Sequence, residues 1–441
     1  MKEPVKDIRY WEIKFSKEGT LLDDSGLAEE ICPAGDGRGE STDLLVFSHG
    51  WNASEESARG LYREMFSLMA DILPPERRES VGFVGIFWPS LLFPEDEPAA
   101  DGPPVNTASA AQRLDIRGAT SPTRHHSSGT DIATALKPAF VGQEKTLDEI
   151  ARLLDSRPQD PNQLSQFHEL VKRLVTTSND AAEDTGEETI ITRGTRDVLN
   201  AMADLAPTAD DDAQAFDPFA KLWSGARELL RTASYYEMKN RAGAAGKNGL
   251  GPLLAKIATA APSVRINLIG HSFGARLVSY ALTALPAGVN GTGSPVKSLL
   301  LIQGAFSHFA FAPKAPVMTR SGALSAVADR VDGPLLSTFT SADRAVGWWY
   351  PNASRLARQD NEALEHLNYR WGAMGHDGFQ QQQNVTTLAL KETHYDFEPG
   401  SFYRLDANDV IKRRLSWFAM AHSDIRHREV ACAALAAARL I

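Results

Sequence analysis

Apolar residues along the chain fall into two patterns. Nearly continuous short runs occupy 43–47, 81–88, 266–269, 296–302, 335–340 and 385–390. Runs of this length without alternation suit strands buried on both faces. Between them, apolar residues recur at helical spacing: Ala58, Leu61, Phe66, Met69 and Leu73 after the first run, and Ala275, Leu277, Val278, Ala281 and Leu282 after the run at 266–269. Residues 429–440 read as a terminal helix, 8–15 as a loosely alternating edge strand, and the Gly-, Asp- and Glu-rich 18–42 as loop. Short strands alternating with helices predict βαβ units, hence an α/β fold with a mostly parallel central sheet and helices on both faces.

Between 91 and 232 the character changes. Residues 93–104 are rich in Pro and acids, and 107–128 are polar and end near His125 and His126. Helical patterns then run over 131–154, 163–175, 195–205 and 219–230, separated by acidic linkers at 179–188 and 208–212. The chain therefore divides into a core, 1–94 and 231–441, and a large helical insertion, 95–230. Insertions of this size over an active site act as caps or lids. Residues 235–262 read as a helix interrupted by Gly243, Gly246, Gly249 and Gly251. These glycines make no phosphate loop, because no Gly-Lys-Ser/Thr follows them. His125 and His126 lack nearby Cys or carboxylate at ligand spacing and read as surface residues, so no metal site is expected.

Composition narrows the class. The chain has 441 residues, 43% hydrophobic and 23% charged, which is globular. A net charge of −10 argues against nucleic-acid binding, which calls for a basic stripe. Cys32 and Cys432 make no disulfide framework, and reduced thiols are expected. The first residues hold no apolar core of signal-peptide length, and no apolar run reaches the roughly 18 residues of a membrane span. No transmembrane segment is expected and a cytoplasmic location is the default; export that needs no cleavable signal leaves the same trace.

The candidate chemistry lies where the run at 266–269 meets its helix, at Gly270-His271-Ser272-Phe273-Gly274. Gly-x-Ser-x-Gly between a strand and a helix is a nucleophile elbow. Side chains at Gly270 and Gly274 would collide with neighbouring strand and helix, and the turn lifts the Ser272 hydroxyl above the sheet. The N–H of Phe273, at the helix start, is free to meet a developing oxyanion. Upstream, the run at 43–47 leads into Ser48-His49-Gly50-Trp51. A His-Gly-aromatic sequence at this place is an oxyanion-loop signal, with the Trp51 N–H as second donor.

On these two motifs the chain resembles the α/β-hydrolase superfamily, in its bacterial lipase/esterase-like serine hydrolases. The resemblance covers about 40–90 and 235–441 and leaves out the insertion. It implies an α/β-hydrolase fold and a chain order of Ser, then Asp or Glu, then His. Asp343, just beyond the run at 335–340, fits the acid, whereas Asp332 precedes its strand. His422, ahead of the terminal helix and beside Ser423 and Asp424, fits the base; His394 and His427 are the alternatives. His271 is expected to pack into the elbow scaffold. The implied activity is hydrolysis of a carboxylic ester by a Ser-His-Asp triad and an acyl-enzyme, with no cofactor. Trp51, Phe273 and Phe306 point to a small-molecule or lipid ester with an apolar acyl group. A phospholipase exported against a neighbour's membrane is a narrower form of this reading. A hydrolase-fold binding protein with a dead site is the alternative from another class.

Overall fold

Among the described residues of the computed structural model, nine strands form a single sheet. They are β1 (Arg9–Phe15), β2 (Leu21–Asp23), β3 (Asp43–Ser48), β4 (Val81–Phe87), β5 (Arg265–His271), β6 (Val296–Ile302), β7 (Leu335–Phe339), β8 (Val385–Thr387) and β9 (Phe402–Asp406). Their order is β2-β1-β4-β3-β5-β6-β7-β9-β8. Every neighbouring pair is parallel except β1 and β2. The structure describes residues 2–27, 30, 42–51, 53–90, 93, 127–175, 190–204, 217–285, 293–314, 321–343, 345–346, 372–381, 385–389, 395–413 and 421–441.

The continuous apolar runs have the cause expected of them. Successive side chains on a strand point to opposite faces. On β3, Leu44 and Val46 enter one apolar cluster, and Leu45 and Phe47 the other. On β5, Ile266 and Leu268 part from Ile269 in the same way, and on β6 Leu299 and Leu301 part from Leu300 and Ile302. One cluster joins the sheet to the helices Pro218–Ala244, Gly251–Ala260 and Phe273–Ala281. The other joins it to Glu55–Ile72 and the terminal helix Arg428–Ala437. The result is an α/β fold with helices on both faces of a mostly parallel sheet.

Four expectations are corrected. The strand at 8–15 is not an edge: β1 pairs with β4 on one side, and the exposed β2 forms the edge beyond it. The run at 385–390 is not the last strand, because β9 follows it and sits between β7 and β8. Phe402–Asp406 is only partly buried and carries Arg404 and Asp406, so it shows no apolar run. The helix expected at 131–154 is two helices, Gly129–Leu136 and Glu144–Ser156, parted by a turn holding Pro138 and by Gly142 at φ 85°. Ser128 caps the first of them by accepting from the Asp131 N–H.

The fourth correction bears on the site. The helices expected at 219–230 and 235–262 are one continuous path. Pro218–Ala244 starts with Asp217 accepting from the Phe219 N–H and runs unbroken through position 230. A π-helical turn, Ala245–Leu250, then leads into Gly251–Ala260. The glycines mark a change of helix type rather than a gap, and two of them, Gly246 and Gly251, bring this path against the helix Phe273–Ala281. A Cβ on Gly246 would stand 2.2 Å from the Leu277 carbonyl oxygen, and one on Gly251 2.5 Å from that of Ala281. No helix among the described residues is long and apolar enough to cross a membrane. Cys432 is buried; Cys32, His125 and His126 lie outside the described residues.

The glycines supply a paired prediction. Gly246→Ala forces a backbone–backbone clash and should lower stability by about 1–3 kcal/mol. Gly60→Ala, on the helix Glu55–Ile72 with nothing within 4 Å of the added carbon, should raise it by about 0.5–1 kcal/mol. Urea denaturation of both variants against the parent checks the two signs.

Candidate active site

Ser272 stands between β5 and the helix Phe273–Ala281 with φ 56° and ψ −121°. A left-handed backbone at a residue with a side chain costs about 1–3 kcal/mol and persists only where its surroundings hold it. Here the Ser272 N–H donates to the Ile302 carbonyl at 3.0 Å, and the Ser272 carbonyl accepts from Ala275 at 3.1 Å and Ala305 at 3.3 Å. The flanking glycines are required by contact: a Cβ on Gly270 would lie 2.4 Å from the Gly274 carbonyl oxygen, and one on Gly274 2.2 Å from that of Ser48.

His422 lies in the one-turn helix Ala421–Ser423, and its Nε2 is 2.7 Å from the Ser272 hydroxyl oxygen. Its Nδ1 is 2.6 Å from Asp343 Oδ2. With Nδ1–H donating to the carboxylate, Nε2 is left to accept the serine proton. Asp343 lies just past β7 and is buried; its Oδ1 accepts the Val346 N–H at 3.2 Å. Its Oδ2 also accepts from Gln303 Nε2 at 2.9 Å. The structure thus brings Ser272, His422 and Asp343 into one hydrogen-bonded line.

The alternatives sit elsewhere. Asp332 pairs with Lys297 at 2.6 Å, half-exposed and away from this line. His427 pairs with Asp424, Nε2 to Oδ1 at 3.0 Å. Asp424 Oδ2 accepts the N–H groups of Lys412 and Arg413, at 3.1 and 2.8 Å, and so pins the loop bearing His422. His394 lies outside the described residues. His271 does more than pack into the elbow: its Nε2–H donates to the His422 carbonyl at 2.9 Å, and the two rings lie 5.0 Å apart. Burial, with the nearby His422 charge second, pushes the His271 imidazole down to about 3. His271 therefore stays neutral at pH values near 7.

The loop after β3 reaches the same place. A Cβ on Gly50 would stand 2.6 Å from that of Ser272, so only glycine lets the loop lie this close. His49 stacks on Trp88 at 5.4 Å, and the Trp88 indole N–H donates to the His49 carbonyl at 3.1 Å. The His49 N–H donates to the Tyr62 hydroxyl at 2.8 Å, which donates in turn to the Ile86 carbonyl. Burial pushes the His49 imidazole down to about 4. The Trp51 ring meets Phe273 at 6.1 Å and Tyr235 at 6.0 Å, and Tyr235 meets Phe273 at 5.0 Å. The Phe273 N–H, first in its helix, has no acceptor within that helix. Phe306 is buried one residue beyond Ala305, whose N–H reaches the Ser272 carbonyl.

Two residues at the site escape the sequence reading. Tyr235 was legible only as an aromatic on a helix. Gln303 was legible only as the polar residue that stops the apolar run of β6; its φ of 48° and its contact with Asp343 require the fold. Among the described residues, no three His, Cys, Asp or Glu side chains gather as metal ligands.

Burial of neutral histidines sets an acid limit. An unfolded chain binds protons at His49 and His271 below an ordinary pKa of about 6.5, whereas the folded chain refuses them until about 4 and about 3. Stability is therefore full above about 6.5 and falls as pH drops toward those lower values. Urea midpoints measured from pH 7 to 4 should decline, and the slope should be shallower in His271→Asn, which takes up no proton there.

No family model, curated protein or solved structure matches this chain.

Proposed function

We propose that the protein is a serine hydrolase with an α/β-hydrolase fold, cleaving a carboxylic ester of a lipid or other apolar acyl group. The observation that carries this reading is the line Ser272–His422–Asp343, with contacts of 2.7 and 2.6 Å at the C-terminal edge of the sheet. A serine hydroxyl is a weak nucleophile unless a neighbouring base takes its proton, and that base needs an orienting carboxylate.

In the proposed reaction Ser272 Oγ attacks the ester carbonyl carbon as His422 Nε2 takes the hydroxyl proton. Asp343 holds the imidazole in the right tautomer and stabilises its charged form. The N–H groups of Phe273 and Trp51 receive the developing oxyanion; losing one such donor typically costs about 3 kcal/mol of transition-state stabilisation. His422 then returns the proton to the leaving alcohol. Water, activated by the same imidazole, releases the acid from Ser272. The aromatic group Trp51, Tyr235 and Phe273 beside the nucleophile favours an apolar acyl chain. The helix Pro218–Ala244 runs from the end of the insertion to Tyr235 in the core, and on this continuity we assign the insertion a capping role over this site.

Active-site labelling tests the reading. A fluorophosphonate probe should form a covalent adduct on Ser272 in the folded protein and none on Ser272→Ala; a parent protein that takes no label ends the proposal. With p-nitrophenyl esters, Ser272→Ala and His422→Ala should lose nearly all turnover, and Asp343→Asn about 10⁴-fold in kcat. His427→Ala should retain most of it. A His422→Ala variant with full rate would remove the base assignment.

A further inference from the structure

We infer that Gln303 is a positioning residue of this site: its side-chain amide fixes the carboxylate of Asp343 against His422. The inference rests on the triad reading above and adds to it a member that neither the elbow nor the oxyanion motif contains.

The argument begins with proton bookkeeping around one hydroxyl. The Gln303 backbone N–H donates to Thr338 Oγ1 at 3.0 Å, and the Thr338 hydroxyl donates to Gln303 Oε1 at 2.8 Å. Having accepted the N–H, the hydroxyl has its single proton to give, and the carbonyl oxygen of the amide is the group that takes it. The orientation of the amide is decided by two acceptors with no proton to give, the Asp343 carboxylate and the Gly375 carbonyl: Oε1 faces Thr338, and Nε2 faces the other way. Its two protons go to Asp343 Oδ2 at 2.9 Å and to the Gly375 carbonyl at 3.0 Å. Every donor on the side chain is used, and a flipped amide would set its oxygen against a carboxylate and a carbonyl.

Gln303 and Thr338 are fully buried, as Asp343 nearly is, so water does not replace these bonds. Asp343 Oδ2 accepts from both Gln303 and His422, which places the amide and the imidazole side by side on one oxygen. Gln303 itself has φ 48°, a left-handed backbone, at the end of the strand next to the one that carries Ser272. Strain of this kind concentrates where geometry serves a site. An apolar residue would satisfy the packing at this point but would take one hydrogen bond each from Asp343 Oδ2, the Thr338 hydroxyl and the Gly375 carbonyl. The side chain thus links β6, β7 and the helix Met374–Asp377 to the acid.

The test compares the parent with Gln303→Leu and Thr338→Val by two measurements. The first needs no substrate: the downfield proton resonance of His422 Nδ1–H, identified by its absence in His422→Ala. Gln303→Leu should broaden or lose this resonance through faster exchange, because Asp343 keeps the Val346 N–H but loses the amide that fixes the oxygen facing His422. Thr338→Val, which removes the bond that steadies Oε1 of the amide, should do so in part. The second is the rate of fluorophosphonate acylation of Ser272, expected to fall by up to about 10²-fold in Gln303→Leu and by less in Thr338→Val. A folded Gln303→Leu protein with the parent's resonance and the parent's acylation rate overturns the inference. If that variant does not fold, an unchanged resonance and rate in Thr338→Val overturn it instead. Should the parent itself fail to acylate, the ester-hydrolase reading falls, while the resonance still decides whether Gln303 holds Asp343.

Discussion

Ser272 keeps its left-handed backbone because three close approaches leave the chain nowhere else to go. Gly270 meets Gly274 and Ala275, Gly274 meets the carbonyls of Ser48 and His49, and Gly50 meets the side chain of Ser272 itself. Each contact is backbone against backbone, or backbone against Cβ, so none relaxes by turning a rotamer. The strands β3 and β5 are neighbours in register, Ser48 opposite Gly270, and this pairing brings the loop after one to the turn after the other. Loosening any of the three contacts would change the position of the hydroxyl and of the Phe273 N–H together.

Parallel pairing does the remaining assembly. The C-terminal ends of β5, β6 and β7 lie at one edge of the sheet, and they deliver Ser272, Gln303 and Asp343 side by side. His422 is 150 residues from Ser272 and 79 from Asp343, and it arrives from beyond β9. Such a group is costly to bury unless its hydrogen bonds are complete. The network meets that condition with donors from Val346, Gln303 and His422 on one carboxylate, and with Asp424 fastening the loop behind the imidazole.

Much of this was legible in the sequence, for identifiable reasons. The elbow declares itself because steric demand leaves glycine as the only residue on either side of Ser272. The central strands show as unbroken apolar runs because both faces are covered. Asp343 and His422 were placed by chain order, and the structure sets His422 in contact with both Asp343 and Ser272. What escaped had no local signature. β9 is half-exposed and charged, so it lacks a run. Gly246 and Gly251 look like helix breakers, yet they serve a helix contact whose partner, Leu277 to Ala281, lies further along the chain. Gln303 is a single polar residue whose meaning depends on Thr338, Gly375 and Asp343, all distant in sequence.

The bond from His271 to the His422 carbonyl has a bearing on thermal motion. Ser272 follows directly on β5, and the last residue of that strand, His271, grips His422 by its main chain. Both halves of the Ser272–His422 contact thus share a single mount at the centre of the sheet. Asp343, by contrast, lies just past β7 and is tied across to the end of β6 through Gln303, so a shift between those two strands would bear on the orientation of the His422 ring rather than on its mount beside Ser272.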